Sequence, residues 1–302
     1  MTRLLTLLAL TFCTLFSGAL LALDVTGDIT TSRTWTSADS PVLLKAPAGT
    51  NINVNSGAVL TIDASSGNVD VSFEGVPTDL DFNLIVGTSS SGTMKIISTG
   101  SGVVTFKIRT GCNIVIGTQG QLLFTGSTAT TVFQRHASSG TNWGALIFEA
   151  SQTRPSEVRN CSFSDCGTDT VANDGQDGAL RIKSSTSNLP TLSNLTFTNC
   201  TLAAMRLDGN GINALAEGNL TLPFSVSGTT PFILNLQTTN STAATIRFPD
   251  VAIPAPDTPK ARFTGTQTIG SASVVSNWRF DDNWEFEANG TAAVSVIRGS
   301  VW

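Results

Sequence analysis

The chain has 302 residues, a formal net charge of −5 and only 13% Asp, Glu, Lys and Arg, about half the usual share of charged residues. With acids in excess and no basic run, it lacks the electrostatic footprint of a nucleic-acid-binding protein. One histidine, His136, and no Cys-x-x-Cys pair leave no zinc-ligand pattern.

The chain opens on Arg3, an apolar run from Leu4 to Phe16 and the small residues Ser17-Gly18-Ala19. That is the layout of a secretory leader, with cleavage expected after Ala19 or Ala22. The run falls short of the roughly 20 apolar residues a spanning helix needs. Cys13, the residue a lipoprotein would acylate, sits inside the run behind Phe12. Residues 1–22 are therefore expected to be a signal peptide. The rest of the chain is expected to be exported, secreted or held at the cell surface, with no membrane span.

From Leu23 onward apolar and polar residues alternate. Asn51-Ile52-Asn53-Val54, Val59-Leu60-Thr61-Ile62, Val69-Asp70-Val71-Ser72-Phe73, Val104-Thr105-Phe106-Lys107-Ile108 and Gln121-Leu122-Leu123-Phe124 all do so. Gly and Ser-Gly steps separate them, at Ser56-Gly57, Ser66-Gly67, Ser91-Gly92, Ser101-Gly102 and Gly117. Period-two runs with such punctuation predict short strands and tight turns.

Between Gly144 and Leu207 the chain repeats itself. Gly144-Ala145-Leu146-Ile147-Phe148 returns as Gly178-Ala179-Leu180-Arg181-Ile182, and again in part as Ala204-Met205-Arg206-Leu207. Asn160-Cys161-Ser162-Phe163-Ser164-Asp165-Cys166 returns as Asn194-Leu195-Thr196-Phe197-Thr198-Asn199-Cys200. Repetition at a fixed offset signals stacked units that bury a face against each other. It predicts inward columns of Leu146, Leu180 and Met205, and of Phe148, Ile182 and Leu207. Val158 with Leu192, Cys161 with Leu195, and Phe163 with Phe197 form a second set.

On these residues the chain resembles right-handed parallel β-helix proteins of the pectate-lyase-like superfamily. The resemblance extends to Thr34-Trp35-Thr36 with Asp39-Ser40-Pro41 near the start, and covers roughly Val25 to Asn235. It implies an all-β, right-handed parallel β-helix (solenoid) over 23–235. It implies no single activity, because that superfamily holds lyases, hydrolases, adhesins and structural proteins. Residues 236–302 are expected to hold C-terminal rungs and a β cap. The proline-rich Ile253–Pro259 connector precedes Trp278–Glu287, which alternates aromatic and polar residues, and Val294–Ile297 is the last expected strand.

The repeat also aligns outward residues. Ile147, Arg181 and Arg206 fall in one column, and Glu149, Lys183 and Asp208 in the next. Two guanidiniums one rung apart repel unless an anion lies between them, and Arg is shaped to grip a carboxylate. The ligand-binding candidates are therefore Arg181, Arg206, Lys183, Asp208 and Glu149, with an acidic polysaccharide or cell-surface component as partner. No cofactor or metal is expected.

A lyase would need a base and a cation to neutralise the uronate carboxylate. With no tyrosine in the chain, Arg181, Arg206 and Lys183 are the candidate bases. Asp165, Asp169, Asp174 and Asp177 lack calcium-loop spacing and read as turn formers in a Gly- and Asn-rich loop. A hydrolase would need two facing carboxylates, for which Asp177 with Asp208, or Asp281 with Asp282, are the pairs. Cys166 and Cys200 fall one above the other, as a disulfide or as two buried thiols. The leading expectation is a non-catalytic adhesion, envelope or glycan-binding scaffold. The alternative is a polysaccharide lyase or glycoside hydrolase.

Overall fold

The computed structural model describes residues 22–47, 49–74, 82–126, 129–167, 178–183, 187–201, 203–208, 211 and 220–230, then the strands 232–237, 247–252, 260–264, 276–279 and 285–289. The leader, the 168–177 loop and the expected strand at 294–297 lie outside the described residues.

Every strand pairing is parallel, and neighbouring strands are a full turn of chain apart. Sheet A has eight strands, Leu23–Val25, Val42–Leu44, Val69–Phe73, Val104–Ile108, Thr131–Arg135, Glu157–Ser164, Thr191–Thr198 and Leu220–Ser227. Sheet B has nine, Ile52–Val54, Asn83–Val86, Asn113–Ile116, Leu146–Phe148, Leu180–Ile182, Ala203–Asp208, Phe232–Gln237, Lys260–Thr264 and Glu285–Asn289. Sheet C has four, Arg33–Thr36, Val59–Asp63, Gly92–Ile97 and Gly120–Thr125. The chain visits A, B and C in rotation, which makes it a parallel β-solenoid with no α-helix among the described residues.

Alternation explains the core. The inward residues of each rung are fully buried, among them Val71, Phe106, Leu122, Leu146 and Phe163. The expected columns are present: Leu146 pairs with Leu180 and then Met205, and Phe148 with Ile182 and then Leu207. Val158 pairs with Leu192, Cys161 with Leu195 and Phe163 with Phe197. The phenylalanine column is longer than the repeat suggests. Phe106, Phe133, Phe163 and Phe197 stack with ring centroids 4.9, 4.9 and 5.0 Å apart.

The corners need specific residues. Gly92 and Gly120 are register partners at the start of sheet C strands. A Cβ on Gly92 would lie 1.9 Å from the Val54 carbonyl oxygen, and one on Gly120 would lie 2.1 Å from that of Val86. Both contacts are with backbone, so no side chain can swing aside. Gly120→Ala is expected to lower stability by about 1–3 kcal/mol, read as an earlier urea midpoint.

At the turn into sheet B, asparagines bridge consecutive rungs. Asn83 N donates to Asn51 Oδ1 (2.8 Å), Asn113 N to Asn83 Oδ1 (3.0 Å) and Ala145 N to Asn113 Oδ1 (2.9 Å). Each side chain satisfies a backbone donor at a corner.

From Glu157 onward the architecture changes. Sheet C ends with Gly120–Thr125, and the eight-residue strands Glu157–Ser164 and Thr191–Thr198 take over. Asn160 and Asn194 sit inside them at φ 52° and 50°, and the pairing register passes over both. The left-handed conformation, which Asn tolerates better than most residues, lets one residue make a corner that takes a loop in earlier rungs. Asn194 Nδ2 donates to Asn160 Oδ1 across the rungs (2.8 Å). Asp165 and Asn199, at φ 50° and 55°, do the same at the next turn. The shared spacing of the repeated Asn-x-(Ser/Thr)-Phe-(Ser/Thr)-(Asp/Asn)-Cys element is thus a pair of left-handed corners around a buried Phe.

Within the segment expected to be a cap, Lys260–Thr264 and Glu285–Asn289 extend sheet B in parallel register. Arg247–Ala252 and Ser276–Arg279 form a separate parallel pair.

Candidate functional site: an arginine–aspartate cluster on sheet B

The outward column of sheet B runs Asn53, Ile85, Val115, Ile147, Arg181, Arg206. It is aliphatic and half-buried over three rungs and then becomes cationic. The predicted alignment of Ile147, Arg181 and Arg206 is therefore present, but exposure divides the two arginines. The Arg206 side chain is 1% exposed and that of Arg181 17%. An outward-pointing residue this deeply covered cannot touch a ligand lying on the surface.

The anion that the two guanidiniums require is supplied by the chain. Arg206 Nε donates to Asp208 Oδ1 at 2.7 Å and Arg181 Nε to Asp208 Oδ2 at 3.2 Å. One carboxylate thus bridges two arginines of adjacent rungs. Such an arrangement gains charge-assisted bonds in a setting with little competing water. Beside it, Lys183 Nζ contacts both oxygens of Glu149 at 2.7 and 2.8 Å, with the two side chains 30% and 34% exposed. The expected column of alternating charge is split in two. Glu149 and Lys183 pair across rungs, while Asp208 turns to the arginines.

Similar cross-rung pairs occur on sheet A, Lys45 with Asp24 and Lys107 with Asp70, each at 2.7 Å. The Glu149–Lys183 pair is one of this common kind, worth about 0–1 kcal/mol each at the surface. The arginine–aspartate triad, anchored on the buried Arg206, sets this region apart.

The chemistry open to the cluster is limited by its own pairing. A glycosidic general acid needs a carboxyl in an apolar, cation-free setting. Glu149 has Lys183 against both oxygens, and Asp208 has a guanidinium on each. A lyase base needs a nitrogen free to take a proton, and Arg181, Arg206 and Lys183 each lie in an ion pair with a carboxylate. Of the other candidates, Asp165 Oδ1 accepts from Asn199 Nδ2 at 3.4 Å in a turn. Asp169, Asp174, Asp177, Asp281 and Asp282 lie outside the described residues. Among the described residues no three His, Cys, Asp or Glu side chains converge to hold a metal ion. No helix among them is long and apolar enough to cross a membrane.

His136, the one histidine of the chain, has partners. Its Nδ1 is 2.7 Å from Ser138 Oγ and accepts from Ser138 N at 3.2 Å, and its Nε2 faces Glu74 Oε1 at 3.4 Å. Ser138 Oγ also accepts from Arg109 Nη2 at 3.0 Å. The backbone bond to Nδ1 makes this a ring-capped turn that ties a loop two rungs back to Glu74. No sequence pattern links Glu74 to His136; only the solenoid register brings them together.

All four described cysteines are buried thiols. Burial raises the Cys161 thiol far above its ordinary range, and its sulfur donates to the Arg159 carbonyl at 3.2 Å. The folded chain therefore holds this proton more tightly than the unfolded chain. Below about pH 8.5 both states are protonated and the contribution to stability is complete; above it the unfolded chain ionises and stability is lost. The urea midpoint is expected to fall between about pH 8 and pH 10. Cys161→Ala should flatten that slope whatever its effect on the midpoint at neutral pH.

Compared with known protein families, curated proteins and solved structures, the chain shows no match. The fold and the cluster define a parallel β-solenoid scaffold.

Proposed function

We propose that this solenoid is an exported, non-catalytic scaffold that holds an acidic glycan or cell-surface polymer along sheet B. The observation that carries the non-catalytic part is the internal pairing of the cluster. Each of its carboxylates already bonds a cation, which leaves no acid–base pair poised for cleavage. The glycan part is supported by the outward column, where aliphatic Ile85, Val115 and Ile147 lead into Arg181. A sugar polymer likewise presents apolar ring faces and, if acidic, carboxylates. In this reading Arg181 and Lys183 contact the ligand, Glu149 holds Lys183 in place, and Arg206 and Asp208 are positioning residues that hold Arg181. The leader read at residues 1–22 supports export to the outside of the cell or its surface.

Binding of polygalacturonate and alginate to the chain and to the Arg181→Ala, Lys183→Ala double variant tests this. The double variant is expected to bind at least about tenfold more weakly, with an affinity that falls as salt rises. Equal binding by both proteins, or no binding by either, would remove the glycan reading.

A further inference from the structure

We propose that Cys166 and Cys200 close into a disulfide that staples two adjacent rungs, and that the bond is made while the chain folds. The two sulfurs are 3.3 Å apart, and both residues are buried, at 0% and 1% exposure. Their backbones are held in register, because Thr201 N donates to the Cys166 carbonyl at 2.8 Å and Asp165 N to that of Thr198 at 3.0 Å. Adjacent parallel strands bring Cα atoms to about 4.8 Å, inside the window a disulfide spans. Asn142 Nδ2 donates to the carbonyls of Cys166 and Asn199 at 3.3 and 3.0 Å. Trp143 Nε1 donates to that of Ser164 at 2.9 Å, so the turns carrying both cysteines are fixed from one side.

The same burial shuts out a reagent once the rung is closed. Burial and the neighbouring Cys200 raise the Cys166 thiol well above its ordinary range, so little thiolate is present in the folded state to attack an oxidant. The exchange belongs to the open chain. One cysteine thiolate attacks a low-molecular-weight disulfide such as oxidised glutathione, releasing one glutathione thiolate and leaving a mixed disulfide. The second cysteine thiolate attacks the protein sulfur of that bond and releases the second glutathione. Two protein thiols are oxidised and one glutathione disulfide is reduced. The loop closed spans 34 residues and includes the whole 168–177 segment, so the staple restricts a large stretch of unfolded chain.

The test is refolding of the full chain from denaturant in oxidised and in reduced glutathione, followed by alkylation under denaturing conditions and peptide mass mapping. Oxidative refolding is expected to give a linked Cys166–Cys200 peptide pair, about 2 Da lighter than the two thiol peptides together. The melting temperature should be about 5–15 °C above that of the reduced form. Protein folded in reducing buffer and then moved to oxidised glutathione should keep both thiols for hours. Alkylatable Cys166 and Cys200 after oxidative refolding, or linkage to Cys112 or Cys161 instead, overturns the proposal. Formation of the bond within minutes in the already folded protein overturns the claim that it is made during folding.

Discussion

Replacing Phe163 with alanine is expected to lower the stability of the solenoid by about 3–5 kcal/mol. Phe163 is fully buried and lies between two rings, with Phe133 at 4.9 Å and Phe197 at 5.0 Å. The truncation leaves a cavity and also removes two stacked pairs, each worth about 0.5–1.5 kcal/mol beyond its buried area. Phe106 has one ring neighbour, Phe133 at 4.9 Å, and Val71 on its other side. Phe106→Ala should therefore cost less. Because each rung touches only its neighbours, a break at Phe163 also weakens the coupling between the two halves of the stack. A broadened or two-step urea transition for Phe163→Ala, against a single one for the parent, is the signature. Equal losses at the two positions would show that ring stacking contributes little.

Asp208→Ala is expected to cost about 3–5 kcal/mol, the range for removing one partner of a buried ion pair. The carboxylate bonds both guanidiniums, and that of Arg206 is 1% exposed, so its loss removes two charge-assisted contacts at once, one of them away from solvent. Glu149→Ala should cost no more than about 1 kcal/mol, because its pair with Lys183 is open to solvent. An Arg181→Met, Arg206→Met, Asp208→Leu triple variant should recover most of the loss caused by Asp208→Ala, since it removes both guanidiniums together with the carboxylate that bridges them. Thermal or urea unfolding of the three variants separates these cases. If Asp208→Ala and Glu149→Ala behave alike, the burial of Arg206 adds nothing to its pairing.

The fold was largely legible because a solenoid writes its packing into the chain twice. The Gly144–Phe148 and Asn160–Cys166 elements recur one turn later, so residues that stack in space also align in sequence. The earlier rungs hid the same arrangement. Phe106 and Phe133 belong to the Phe163 column, but the steps between them are unequal because the corner loops differ in length. The asparagine ladder of Asn51, Asn83 and Asn113 was hidden for the same reason, and so was the His136–Glu74 contact.

For the site, alternation placed Arg181 and Arg206 in one column, and charge repulsion called for an anion between them. It could not tell that the anion was Asp208, two residues from Arg206 on the same strand. Nor could it tell that Arg206, although outward, is covered. Period two assigns a side to each residue, whereas burial on the outer side depends on neighbouring segments with no fixed spacing.

In the function proposed above, the solenoid binds a polymer without cutting it. The most direct measurement incubates the chain with polygalacturonate and alginate, with and without calcium, and follows three signals together. These are polymer retained by immobilised protein, new reducing ends, and the absorbance of unsaturated sugar product. Retention is expected to depend on Arg181 and Lys183, with neither new ends nor unsaturated product above a protein-free control. Appearance of either product, lost on replacing Glu149 or Asp208 in a variant that still folds, would contradict it.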